Sequence, residues 1–278
     1  MRTEIAASLV ARIDPPGLVG AAIVGSVGRG LADAWSDLEL LLVWDAPPET
    51  QVRDEIQRAW GATAIRRFTR PERWFGVDNL DVRGFPVDLI HQTEASLDET
   101  ASAVEASAEL PGQEVLANLV SARWLRGARP PPVYSDGLAA LTLERHVHPL
   151  PLGSALVPAL RDDRVRYADR AVRWAKDLAL ALYAANRRFW PGDRALIEGV
   201  AALPDTPPGV ESRLRTAFSA HPSEGVLLLS TLLDESLALA AHRVPGWSSA
   251  ERVRSRAREA RRCAWTEEEL QGWLAAPW

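Results

Sequence analysis

Cysteine is nearly absent. Cys263 is the single example among 278 residues, so no intrachain disulfide can form and a reducing, cytoplasmic setting is expected. Lysine is equally scarce: Lys176 stands alone and arginine carries the remaining positive charge, which we read as coding bias rather than function. Excess charge is small. A formal net charge of −5 offers no electrostatic footprint for nucleic acid and argues against long polynucleotides as substrates. Long apolar runs are lacking too: the weak one at the N-terminus is broken by Arg12 and Asp14, so neither a signal peptide nor a membrane span is expected. What is present is 47% hydrophobic and 25% charged residues, the balance of a water-soluble globular chain. The length fits two domains, each able to bury its own core.

The densest chemistry lies between Ile23 and Trp44, IVGSVGRGLADAWSDLELLLVW. An apolar run enters Gly25-Ser26, a glycine-bearing turn follows, and Asp37-Leu38-Glu39 leads into a second apolar block. If Asp37 opens a strand, a period of two puts Asp37 and Glu39 on one face and Leu38, Leu40 and Leu42 on the other. Two carboxylates so close repel unless a partner neutralises them. A divalent cation would do so, and oxygen ligands suit Mg²⁺. Glycine lets the backbone approach a ligand closely, and N–H groups at a helix start favour an anion such as phosphate.

An apolar residue, Gly-Ser, a spacer and then Asp-apolar-Asp/Glu-apolar is the mark of the nucleotidyltransferase superfamily, with its DNA polymerase beta-like fold. Val24-Gly25-Ser26, the spacer Val27 to Ser36, and Asp37-Leu38-Glu39-Leu40 resemble it. Glu39 in place of the commoner Asp is a departure that bears on coordination geometry.

Along the chain, Met1 to Ile13 has helical spacing and ends at Asp14-Pro15-Pro16-Gly17. Strands are expected at Leu18–Val24, Asp37–Trp44, Ala62–Phe68, Trp74–Val82 and Phe85–His91, with a helix through Trp60. The last two strands are joined by a turn near Arg83-Gly84. Asp88 lies inside an otherwise apolar strand, where an unpaired carboxylate is costly to bury, although Pro86 favours an edge position. Asp78 and Asp81 on the preceding strand are its rivals, and His91 reads as a strand-end polar residue. Beyond Thr93 only helices are expected, with GARPPPVYSDG at Gly127–Gly137 as the strongest breaker cluster. This gives an α+β domain with a small mixed sheet over residues 1–127 and an all-α domain over 138–278. A last short helix is expected from Thr266, opened by a capping box with Glu269. Tryptophan reads as core and interface filler, and His146 with His148 is too small a set for zinc.

The helix from Asp163 to Phe189, with Tyr183, Asn186, Arg187 and Arg188 before Trp190-Pro191-Gly192, resembles the C-terminal part of small-molecule nucleotidyltransferases of the aminoglycoside and lincosamide type. The two resemblances imply an enzyme that moves AMP from ATP onto a hydroxyl of a small-molecule acceptor and releases pyrophosphate. They imply that Asp37 and Glu39 hold Mg²⁺, and that Gly25, Ser26 and Gly28 grip the outer phosphates with charge from Arg29. They further imply that Lys176 meets the triphosphate, and that Asp88 is the third carboxylate, as metal ligand or as base. A nucleotidyltransferase acting on a protein or tRNA, and a noncatalytic nucleotide-binding relative, are the alternatives. Acceptor identity and oligomeric state are not legible.

Overall fold

A computed structural model describes residues 1–70 and 73–260, together with 266 and 268; Cys263 and the helix expected from Thr266 lie outside the described residues. The chain divides into two compact units, one formed by Met1–Val133 with Phe189–Pro191 and the other by Tyr134–Arg188 with Gly192–Trp278.

The first unit runs α1 (Arg2–Val10), β1 (Leu18–Ile23), α2 (Gly25–Arg29), β2 (Leu38–Trp44), α3 (Thr50–Trp60), β3 (Thr63–Arg70), β4 (Phe75–Val82), β5 (Phe85–Thr93), α4 (Glu94–Ser107), α5 (Leu110–Val120) and β6 (Arg123–Arg126). Its six strands form one mixed sheet in the order β3-β4-β5-β2-β1-β6. Only β2 and β5 pair in parallel; every other pairing is antiparallel.

Period-two alternation makes the sheet two-faced. Leu38, Leu40, Leu42 and Trp44 of β2, Val87 and Leu89 of β5 and Leu80 of β4 join one core with Ala6, Leu9 and Val10 of α1 and Ile56 and Trp60 of α3. The Trp60 indole N–H donates to the Leu9 carbonyl at 2.9 Å, so the two covering helices are tied by a buried bond as well as by apolar area. Burying a side chain of this size stabilises by about 1.5–3 kcal/mol, which fixes the register of β2 against a one-residue slip. On the opposite face stand Glu39 and Asp88.

Several sequence expectations are corrected. β2 begins at Leu38, leaving Asp37 one residue ahead of the strand. β6 was not expected where only helices are read beyond Thr93: α5 ends at Val120, and Arg123-Trp124-Leu125-Arg126 pairs with β1. Four residues are too few to show alternation, and the strand exists because β1 offers an open edge. β5 is central rather than an edge, flanked by β4 and β2. Pro86 is tolerated there because the ladder to β2 starts only at Val87. His91, expected at a strand end, is fully buried.

The second unit is helical: α6 (Asp136–His146), α7 (Leu152–Leu160), α8 (Arg164–Ala185), α9 (Leu196–Ala201), α10 (Val210–Ser219), α11 (Pro222–Arg243) and α12 (Ala250–Arg258). Val226, Leu229, Leu233 and Leu237 of α11 and Ala171, Trp174 and Leu178 of α8 are buried, the spacing of a helix face turned to a core. At 22 residues, α11 is long and apolar enough to cross a membrane by length and composition alone, which amends the expectation that no segment reaches that length. An α/β sheet unit and a helical unit thus make up the chain.

Candidate functional site

The site assembles where β1 ends and β2 begins. The Val24 N–H donates to the Glu39 carbonyl at 3.0 Å, pinning the entry of α2 to β2. Gly25 then adopts φ +64°, and a Cβ built on it would lie 1.3 Å from Glu39 Oε2. The Glu39 carboxylate therefore occupies the space a side chain at residue 25 would need. Glycine is required there twice, for the left-handed backbone and for the close approach. α2 is a single turn whose first intrahelical bond runs from the Gly28 N–H to the Val24 carbonyl, so the N–H groups of Gly25, Ser26 and Val27 precede it without intrahelical acceptors. Ser26 is half-buried at this start.

Gly28 has a different job. A Cβ there would meet the carbonyl oxygens of Ile23 and Ser121, each at 3.1 Å, so it lets α2 pack on the backbone at the ends of β1 and α5. Arg29 turns to α5, donating to Asn118 Oδ1 at 3.0 Å while its Nε is buried without a partner. The loop that follows is held from α1: Arg2 Nη2 and Nε donate to the Ser36 carbonyl at 2.8 and 3.1 Å, fixing the residue just before Asp37. Trp35 in this loop is 93% exposed, an exception to the core reading of tryptophan that holds for Trp44, Trp60 and Trp174.

Across the parallel pair, Glu39 is the direct partner of Asp88. Asp88 is in turn the direct partner of Asn79, whose Nδ2 donates to Asp88 Oδ1 at 2.6 Å. Directly opposed residues share a face, so Glu39, Asp88 and Asn79 form one polar row, each about 4.8 Å from the next. Asn79 was not singled out from sequence; only the register reveals it.

The rival carboxylates sit elsewhere. Asp81 accepts from the Gly84 N–H at 2.7 Å and closes the β4–β5 turn. Asp78 lies on the core face, fully buried, where Arg53 reaches Oδ1 at 2.5 Å and Oδ2 at 3.1 Å and Arg67 reaches Oδ1 at 2.7 Å. His91 Nε2 is 3.2 Å from Asp78 Oδ2, and the Trp44 indole N–H points to His91 Nδ1 at 3.2 Å. An indole can only donate, so Nδ1 accepts and Nε2 carries the proton that Asp78 receives as a hydrogen bond. Burial opposes the Asp78 charge, but the bonds from His91 and Arg53 overcome it and hold the carboxyl well below the usual range. Burial pushes His91 down from its ordinary value against the pull of Asp78.

Lys176 belongs to the helical unit, where its Nζ pairs with Asp193 at 3.0 Å. Among the described residues no group of three His, Cys, Asp or Glu side chains gathers as a metal cluster. The oxygen donors nearest that description are Asp37 and Glu39 at the head of β2, with Asp88 beside them. Their all-oxygen chemistry is the kind a hard divalent cation such as Mg²⁺ takes.

No family model matches the chain, and no curated protein is similar to it. Among solved structures, a nucleotidyltransferase-like protein from Exiguobacterium sibiricum is similar at 13% identity and a TM-score of 0.32, over 97% of this chain and 83% of that one.

Proposed function

We propose that the chain is a nucleotidyltransferase that moves AMP from ATP onto a hydroxyl of a small-molecule acceptor. One observation carries the reading: Glu39 and Asp88 are in register on adjacent parallel strands, with the Glu39 carboxylate laid over the Gly25 turn. The carboxylate pair thus stands beside the turn whose first amides have no intrahelical acceptors.

Asp37 and Glu39 would hold Mg²⁺, which when bound neutralises phosphate charge. The Gly25, Ser26 and Val27 amides and the Ser26 hydroxyl take the outer phosphates. Asp88 receives the proton of the acceptor hydroxyl as that oxygen attacks the α-phosphorus; the bond to the bridging oxygen breaks and pyrophosphate leaves. Asn79 holds Asp88 in place through its amide. Positioning and electrostatics supply most of the rate in such a reaction, because phosphoryl and nucleotidyl transfer need little covalent help.

The test is mass spectrometry of the purified protein with ATP, Mg²⁺ and a panel of hydroxyl-bearing small molecules, including aminoglycosides and sugar phosphates. One adenylyl group added to a small molecule, and lost with Glu39→Gln, is the expected result. Adenylylation of protein or tRNA alone would replace the acceptor class, and no transfer to any acceptor would remove the reading.

A further inference from the structure

The polar row does not stop at Asn79. Its partner on β3 is Arg66, so Glu39, Asp88, Asn79 and Arg66 cross four strands on one face. Farther along β3 on the same face lie Phe68, opposite Val77, and Arg70, opposite Phe75. Both guanidinium groups converge on a single ring: Arg66 Cζ is 5.3 Å and Arg70 Cζ 5.9 Å from the Phe68 centroid. Phe75 stands 6.0 Å from Phe68, tilted by 46°.

Both arginines are exposed, and among the described residues neither has a carboxylate partner, whereas neighbouring Arg67 and Arg73 do. In an acidic chain, two exposed guanidinium groups on one aromatic ring, with no carboxylate partner among the described residues, make a positive patch. Guanidinium is suited to phosphate and carboxylate through its planar fork.

Strand order decides which substrate the patch serves. The Gly25 turn follows β1, the carboxylates stand on β2 and β5, and Arg66 stands on β3 at the far side. Arg66 is three strand spacings, about 14 Å, from Glu39 but two, about 10 Å, from Asp88. Attack in line with a departing pyrophosphate requires the acceptor to enter opposite the outer phosphates. With those at Gly25, the acceptor lies toward β4 and β3.

We infer that Arg66 and Arg70, with Phe68 and Phe75, form the acceptor subsite, and that the acceptor is a ring compound bearing an oxyanion. The inference rests on the placement of Asp88 in the reaction proposed above. A polycationic acceptor is disfavoured by the same patch.

Calorimetric titration with phenyl phosphate, benzoate and phenol separates the parts. At least one of the two anions should bind the wild-type protein, and Arg66→Ala/Arg70→Ala should raise its Kd tenfold or more. Arg66→Lys/Arg70→Lys should recover part of the loss, and phenol should bind no better to wild type than to the alanine variant. Tighter binding of phenyl phosphate assigns a phosphate, and of benzoate a carboxylate. Mg·ATP titrated in parallel reports on the catalytic reading separately: its affinity should drop with Glu39→Gln and hold with the arginine variants. Equal binding of the anions to wild type and the alanine variant, no binding to either, or a loss of Mg·ATP affinity on removing the arginines would each overturn the inference.

Discussion

Oε2 of Glu39 stands 1.3 Å from where a Cβ on residue 25 would be, so these two positions cannot vary independently. Gly25→Ala should displace the Glu39 carboxylate and also force alanine into φ +64°, a strain of about 1–3 kcal/mol. Nucleotide transfer should fall below detection and the protein should lose stability. Combining it with Glu39→Ala removes the clash but keeps the backbone strain. The double-mutant cycle should therefore show a coupling of about 0.5–3 kcal/mol, read from urea midpoints; strict additivity would mean the carboxylate moves aside at no cost.

Acid should act on the core face, through Asp78 and His91. Asp78 has a folded pKa below its unfolded value, so its contribution is complete above the unfolded pKa and disappears as pH falls through the folded one. His91 is held neutral with a folded pKa also below the unfolded value. Between the two values the unfolded chain binds the extra proton, so stability falls as pH drops below about 6.5. Both groups act in the same direction. Melting temperature should decline from pH 7 to pH 5, and His91→Phe, which cannot be protonated, should flatten that decline while lowering the plateau because Trp44 and Asp78 lose their partner. An unchanged slope in His91→Phe would place the acid sensitivity elsewhere.

The carboxylate motif was legible because spacing alone orders Gly25, Ser26, Asp37 and Glu39 in the chain. The alternation of β2 was legible because Leu38, Leu40 and Leu42 must be buried together. Asn79 and Arg66 were not, since each belongs to the polar row only through a register set by the β4 hairpin and by the bulge between Ala64 and Arg66. The same holds for Asp78. A strand carrying Asp78, Asn79 and Asp81 shows three polar residues in sequence, and only the helix packed on one face tells which is paired with Arg53. β6 escaped because its four residues are strand by partnership rather than by pattern.

Asp177 of α8 is a buried acid whose charge burial disfavours more than its neighbours support. Burial raises its pKa to about 7, against the hydrogen bond from the His148 N–H and the nearby Lys176. Its folded pKa lies above its unfolded value, so the native state holds the extra proton between about pH 4 and 7 and stability is lost as pH rises through that window. Asp177→Asn keeps an oxygen for the His148 N–H and cannot ionise. Its advantage over wild type should be small at pH 4.5 and grow to the order of 2–4 kcal/mol by pH 8. A melting-temperature difference that is flat over this range would show that Asp177 ionises without cost.

Asp88 can serve as base or as metal ligand, and the two roles part when its charge is removed but its shape kept. Asp88→Asn still offers an oxygen to Asn79 Nδ2, so the strand pair and the polar row should persist and melting temperature should stay within about 1 kcal/mol equivalent of wild type. As the base alone, the residue is not needed to hold nucleotide; Mg·ATP should then bind normally while transfer falls by roughly 10²- to 10⁴-fold. Raising the pH should restore part of that rate, because the acceptor hydroxyl then ionises more without help. As a metal ligand it would lose Mg·ATP affinity and rate together, with little recovery at high pH. The hydrogen bond from Asn79 favours the first outcome: one Asp88 oxygen is already engaged on the side away from Glu39, leaving the other for a proton. Asn79→Ala should accordingly lower the rate with Mg·ATP affinity unchanged. If Asp88→Asn and Asn79→Ala both transfer AMP at the wild-type rate, the acceptor's proton leaves by another route and Asp88 is not part of the chemistry.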